Sequence, residues 1–300
     1  MPLREVVPQL MPSYRSQLYL LLAPYVLGMT VLILGPMLIT LALSFTQYDI
    51  LSPPQWIGLT NFRHFLVDRL FQRALYNSLW FVLIAVPLRA AGALLLALAL
   101  NRRGRAFGCA RAMVYLPTII PEVAYALVWL LILNPGFGPL NLALRALGLP
   151  TVPWLQTPFT ARATVVVMWL LQFGEGFILL LAARQTIPHE VFESAQLDGA
   201  SYCQTLRRIT LPLMVPALLL LTIRDTALSF QSSFVPGLIT TETGPYYTTY
   251  FLPHYIFDEA FGLFKYGYGA ATTVVVYLLT AVLIFVQYGV AKRWSAADEI

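Results

Sequence analysis

The chain has 300 residues, 58% of them hydrophobic and 11% charged, with a mean hydropathy of +0.71. Soluble domains carry about a quarter charged residues, so this composition excludes an ordinary soluble protein and points to an all-α, multi-pass membrane protein with no polar interval long enough for a separate core. The formal net charge of +5 comes from basic residues beside apolar runs, which argues for orientation in lipid and against a nucleic-acid groove.

Residues 1–17, with Arg4 and Arg15, read as a tail. Apolar sequence then fills 18–45, too long for a signal-peptide core and longer than the ~20 residues that cross a bilayer, so a retained, tilted helix kinked at Gly35-Pro36 is predicted. Pro53-Pro54 and Gly58 break the next stretch, and Asn61 to Phe65 reads as an interfacial helix. A second span is predicted over 74–100, with Arg89 inside it; a central charge there costs about 2.5–3.5 kcal/mol unless it snorkels or finds a partner. Arg102, Arg103, Arg105 and Arg111 crowd the following loop. The third span is predicted over 112–133, followed by a turn-rich loop from Asn134 to Asn141 and a short helix to Gly148. The fourth, fifth and sixth spans are predicted over 163–183, 213–234 and 270–290, with a Gly244-Pro245 loop and an aromatic-rich external segment before the last, and a tail over 291–300.

Six spans with both termini inside place Arg4, Arg15, Arg102, Arg103, Arg105, Arg111, Arg184, Arg207, Arg208, Lys292 and Arg293 in the cytoplasm, against Arg63, Arg69, Arg73, Arg145, Arg162 and Lys265 outside. That bias supports this orientation, with both termini and the loop 184–212 facing the cytoplasm. Cys109 and Cys203 fall on the reduced side, which argues against a disulfide. His64, His189 and His254 lie on separate loops, so no metal site is expected.

The loop 184–212 has its own logic. Pro188 suits a first helical turn, and Glu190 and Glu193 place negative charge at the positive end of a helix running to Leu197. Asp198-Gly199 reads as a break, with Gly199 left-handed; Ser201 and Gln204 have the spacing of a capping box for a second helix, whose apolar face is Tyr202, Leu206 and Ile209, and Pro212 stops that helix or starts the next. On periodicity alone this is an amphipathic elbow on the lipid surface.

Polar residues inside the spans are the candidates for a pathway. Thr222, Asp225, Ser229, Ser232 and Ser233 share one face of the fifth span, lining a cavity or a subunit contact. Arg224 points about 100° away from Asp225, so the partners of both should lie on other helices. Glu122, Tyr125 and Trp129 form a second face whose carboxylate and rings suit a sugar or serve as helix contacts, and Glu175 between Gly174 and Gly176 is equally ambiguous. The two lysines, Lys265 and Lys292, stand outside any Gly-Lys-Ser/Thr phosphate loop, so ATP hydrolysis would have to come from another polypeptide.

The spacing of Glu193, Ala195, Asp198, Gly199, Ala200, Ile209, Leu211 and Pro212 closely resembles the EAA motif of ABC importer permeases, with Ser194 in place of an alanine and Leu206 where Phe is frequent. The resemblance covers roughly 18–290. Gly58 to Phe62, Asn134 to Asn141, Thr243-Gly244-Pro245 (often Gly-Gly-Pro in the family) and Tyr266 to Ala271 look like carbohydrate-type permeases, particularly the first permease of maltose and glycerol-3-phosphate systems. It implies a type I importer architecture in a prokaryotic plasma (inner) membrane, with a coupling helix in 184–212. It also implies a heterodimer with a second permease, two ATPase subunits holding ATP and Mg²⁺, an external solute-binding protein and alternating access, with no cofactor in this chain. The alternative is an ion-driven secondary transporter using Asp225, Glu122 or Glu175.

Overall fold

The computed structural model describes residues 14–297: most of the tail expected at 1–17 lies outside the described residues, whereas over 291–297 the last helix continues where a tail is expected. The architecture is helical apart from one short hairpin. Four helices are long and apolar enough to cross a membrane, and six spans result if each of two bent helix pairs counts as one.

The first span is α1 (Tyr14–Met29) and α2 (Gly35–Leu43), joined by a π-helical turn at Thr30–Leu34. The turn stands immediately before Pro36, which has no N–H to donate, and it closes on a bond from Gly35 N–H to the Thr30 carbonyl. A hairpin the sequence did not suggest follows, with β1 (Thr46–Gln47) antiparallel to β2 (Gln55–Trp56). The predicted interfacial helix is one turn, α3 (Thr60–His64), and Asn61 on it donates to the Ser44 and Thr46 carbonyls at 2.9 and 3.0 Å.

The longest pillar is α4 (Arg69–Ala99), which starts well before the expected 74 because Asp68 caps it. Its Oδ1 accepts from the Leu70 and Phe71 amides at 2.9 and 3.0 Å, and Oδ2 accepts from the Tyr255 hydroxyl at 2.5 Å. Burial would raise the pKa of this carboxyl, but the bonds from Tyr255, Phe71 and Leu70 outweigh it and hold the group below the usual range.

The expected straight third span is instead α5 (Arg105–Ile119) and α6 (Glu122–Ile132), bent by 103°. Pro121 is the reason: it disfavours helical backbone at the residue before it, and Ile120 is extended at φ −72°, ψ 129°. The short helix after the turn-rich loop is α7 (Pro139–Ala146). The fourth span is also broken, into α8 (Pro158–Leu170) and α9 (Gly174–Gln185) at 47°. There α5 presses on the chain: Gly174 donates its amide to Thr118 Oγ1 at 3.1 Å, and a Cβ on Gly174 would collide with Thr118 and Tyr115.

After α10 (His189–Leu197), α11 (Tyr202–Thr205), a π turn at Leu206–Thr210 and α12 (Leu211–Ser232) form one continuous rod. Pro212 therefore neither stops a helix nor begins a separate one; the widened turn before it accommodates its missing donor. Then come α13 (Phe234–Thr241), α14 (Leu252–Phe257) and α15 (Tyr266–Ala297).

The core is split along α4. At one end Phe71, Phe81, Trp169, Tyr250, Phe251 and Tyr255 pack together; at the arginine-rich end Ala90, Ala93 and Ala97 meet Phe177, Leu180 and Leu221. Small residues let those helices approach closely, and a Cβ on Gly176 would stand 2.8 Å from Leu221.

The aromatic-rich segment expected to be external supplies much of the first cluster. Asn77 donates to the Tyr247 and Tyr250 carbonyls, and Ser78 accepts from the Leu252 amide. The chain reaches this position through a strained turn in which Glu242, Thr243, Gly244, Tyr246 and Tyr247 all have φ between +46° and +73°. Thr243 holds its φ of +69° at the place where the resembled permeases often have glycine.

His254 is 2% exposed and its tautomer is set by two backbone contacts: the Phe251 amide donates to Nδ1, and Nε2 lies 3.0 Å from the Phe234 carbonyl. Burial pushes its pKa down to about 4. The unfolded chain therefore binds a proton that the folded chain refuses between about pH 6.5 and pH 4, and stability falls as pH falls through that window. Thermal unfolding in detergent should show a loss on the order of 2 kcal/mol between pH 7 and pH 5, and His254→Gln should flatten that slope even if it is less stable at pH 7.

Candidate functional site

Two regions bring the sequence-predicted residues together. The first is the elbow at the arginine-rich end. The helix α10 ends in a left-handed closure: Gly199 has φ +71°, its amide donates to the Gln196 carbonyl at 3.0 Å, and the Ala200 amide donates to the Ala195 carbonyl at 2.9 Å. The capping box forms, with the Ser201 amide donating to Gln204 Oε1 at 2.7 Å and the Gln204 amide to Ser201 Oγ at 3.4 Å. Val191, Phe192 and buried Ala195 hold α10 on the bundle, while Glu193, Ser194, Asp198 and Gly199 are exposed.

One expectation fails here. Tyr202 does not join an inward apolar face; it is 78% exposed, as Leu197 is at 88%, so two apolar side chains flank the Asp198-Gly199 corner. Leu206, Ile209, Leu211 and Pro212 are half-buried along the rod that leaves it.

The second region is the middle of the bundle. Asp225 is fully buried and faces Arg89 of α4, with Nε to Oδ2 at 3.6 Å, an ion pair longer than a hydrogen bond. Arg89 also donates to the Gln172 carbonyl at 2.6 Å, at the break between α8 and α9, and lies 4.3 Å from the Trp169 ring centre. The charge predicted to need a partner is thus met from α8, the break and α12. Arg224 pairs with Glu175 of α9, and this second ion pair is partly exposed, at 36% and 45% of the two side chains.

The rest of the stripe turns inward. Ser229 and Ser233 are buried, Thr222 and Ser232 half-buried, and Ser229 Oγ donates to the Thr226 carbonyl at 2.7 Å. Gln287 of α15 donates to Thr226 Oγ1 at 2.6 Å, so around Asp225 this face packs against α4 and α15, while Thr222 lines an apolar-walled cavity of about 390 Å³ with Leu218, Val286 and Gln287. Tyr125 is also buried and donates to the Met168 carbonyl at 2.9 Å; Trp129 packs edge-on to it, and Glu122 alone of that face is exposed. Sequence reasoning did not match Arg89 with Asp225 or Arg224 with Glu175. The available signal was charge balance, because each span-embedded cation needs an anion and each was present on another span. No group of three His, Cys, Asp or Glu able to hold a metal occurs among the described residues.

Residues 90–296 match the family described as binding-protein-dependent transport system inner membrane component. The chain is 32% identical to the probable ABC transporter permease protein YesP of Bacillus subtilis, over 92% of this chain and 90% of that protein. It is 30% identical to the trehalose/maltose transport system permease protein MalF of Thermococcus litoralis, over 92% and 94%. Among solved structures it is similar to a chain of a bacterial alginate ABC transporter crystallised with an alginate pentasaccharide-bound periplasmic protein, at a TM-score of 0.83 and 24% identity, covering 93% of this chain and 95% of that one.

Removing Asp225 leaves a guanidinium buried without its counter-charge. Asp225→Ala should therefore lower unfolding stability by about 3–5 kcal/mol, and adding Arg89→Leu should recover much of that loss. A double-mutant cycle by thermal unfolding in detergent checks it; strictly additive losses would mean the two side chains are not coupled.

Proposed function

Since the chain belongs to the family of binding-protein-dependent transport system inner membrane components, the permeases of ABC transporters, we propose that it is the permease subunit of an ATP-driven importer for a sugar or related polyol. The observation that carries the reading is the elbow. A left-handed corner at Gly199, flanked by exposed Leu197 and Tyr202 and braced by Ala195, presents a rigid apolar-tipped projection at the arginine-rich end of the bundle. That end faces the cytoplasm in this reading, as the arginine bias favours.

Glu193, Asp198, Gly199, Ala200, Ile209, Leu211 and Pro212 then form the contact to a separate ATPase subunit, where ATP and Mg²⁺ are held, with buried Ala195 bracing it from behind. A second permease completes the membrane unit, and an external binding protein delivers the solute. The solute class is supported by the trehalose/maltose permease among the relatives, and the delivery step by the alginate transporter's periplasmic partner.

The pathway runs along the face that carries Glu175, Arg224 and Glu122. A partly exposed ion pair about halfway along the fifth span is too costly to turn toward lipid, so this face meets the second permease or water. The two broken spans lie on the same region, as discontinuous helices do at substrate sites near the bilayer midplane. Asp225 and Glu175 are each committed to an arginine, which favours the ATP-driven reading over an ion-coupled one. Alternating access follows if closure of the ATPase pair moves the elbow, because the rod from Tyr202 to Ser232 joins the elbow to Asp225 without a break.

The test is co-purification: the tagged chain, solubilised from its native membrane, should bring a second permease and an ATPase with it and hydrolyse ATP. An intact complex that lacks both would sink the reading. Gly199→Val forces a β-branched residue to φ +71°, so it should insert normally yet lose most of the co-purifying ATPase subunit; undiminished retention would remove the elbow from that role.

A further inference from the structure

Where the C-terminal ends of α4 and α9 meet the N-terminal ends of α5 and α10, there is a cavity of about 590 Å³ lined by Arg102, Arg103, Arg111, Arg184, Gln185 and His189. Among the described residues no carboxylate lines it, nor does one line the adjoining cavity of about 420 Å³ that shares Arg102, Arg184 and His189. None of the four arginines takes part in an ion pair among the described residues. Arg111 is committed to the Leu100 and Arg102 carbonyls at the end of α4, and Arg184 stacks 4.0 Å from the Phe192 ring centre. Those contacts hold the Arg111 and Arg184 guanidinium groups without neutralising them, while Arg102 and Arg103 stand exposed at the rim. Four like charges gathered around one opening repel one another, and an anion resolves that repulsion. The planar, multi-donor fork of arginine suits a phosphate oxygen pair better than a point charge would.

The surroundings select the source of the phosphate. Gly104, which lines the cavity, begins α5, and from there Arg105, Cys109, Met113 and Leu116 follow one another on a single helix face. Met113 is 72% exposed and Leu116 60%, so an apolar strip rises from the rim of a cationic cavity. We propose that this cavity binds the phosphate headgroup of an anionic phospholipid, with the acyl chains lying along the exposed face of α5. Basic pockets between membrane helices suit such headgroups. The cavity takes in His189 at the start of α10, and its neighbour extends to Ala200 and Tyr202 of the elbow; the proposal requires only that the chain sit in a bilayer, whatever solute it carries.

The experiment uses the full chain purified with its associated subunits in neutral detergent, then exposed to phosphatidylglycerol or phosphatidylcholine, with bound lipid counted by native mass spectrometry. The wild-type complex should retain phosphatidylglycerol selectively. Arg102→Gln with Arg103→Gln should weaken that retention by roughly thirtyfold, the factor expected for two arginines at an anionic surface, while Arg102→Lys with Arg103→Lys keeps most of it. Equal retention by the wild type and the Gln pair would overturn the site. Binding of inorganic phosphate alone, with no preference between the two lipids, would assign the cavity to free phosphate and overturn the lipid source. Loss of the associated subunits from the Gln pair in phosphatidylcholine alone would make this a subunit contact and overturn the proposal as well.

Discussion

Arg89 sets the terms for the middle of this bundle. A guanidinium on a helix that crosses hydrocarbon cannot be left to one partner, because the desolvation cost is repaid only when several groups converge on it. Here a carbonyl comes from Gln172, a carboxylate from Asp225 and an aromatic face from Trp169, each on a different segment. Satisfying that one charge therefore fixes how α4, the break after α8, and α12 stand relative to one another. The alanine row at 90, 93 and 97 then lets α9 and α12 close on α4 below it.

The same arrangement ties chemistry at one end to packing in the middle. The rod that begins at the Ser201 cap passes through a π turn at Leu206–Thr210 and carries Arg224 and Asp225 about two-thirds of the way along. Each residue of the pair answers a different neighbour: Asp225 faces the interior through Arg89, and Arg224 faces outward with Glu175. The inner contact is the longer one, an ion pair at 3.6 Å with no hydrogen bond to the Asp225 carboxylate, whereas the outer pair is in direct contact and partly exposed.

Much of this was legible in the sequence, and the failures have a common cause. The apolar stretches, the helix ending at Leu197, the left-handed Gly199 and the Ser201–Gln204 box follow from short-range rules about hydropathy, glycine and capping, and the structure contains all of them. What escaped depends on tertiary contacts or on prolines read too leniently. Pro121 disfavours helical backbone at Ile120 and breaks the expected third span, whereas at Pro212, where a stop or a new helix is expected, a widened turn carries the helix through. The break after α8 has no proline; it depends on α5 crowding Gly174. The segment before α15 reads as an aromatic-rich loop outside the spans, and its burial could not be foreseen because it depends on Asn77 and Ser78, which bond its backbone from α4.

The sharp bend at Ile120-Pro121 bears on how the protein is made. Neither α5 nor α6 is long enough to cross a bilayer alone, and the corner between them exposes Glu122 and backbone that lipid cannot hydrogen-bond. During synthesis a region of this shape is a weak insertion signal by itself, so its entry into the bilayer depends on the spans that precede and follow it.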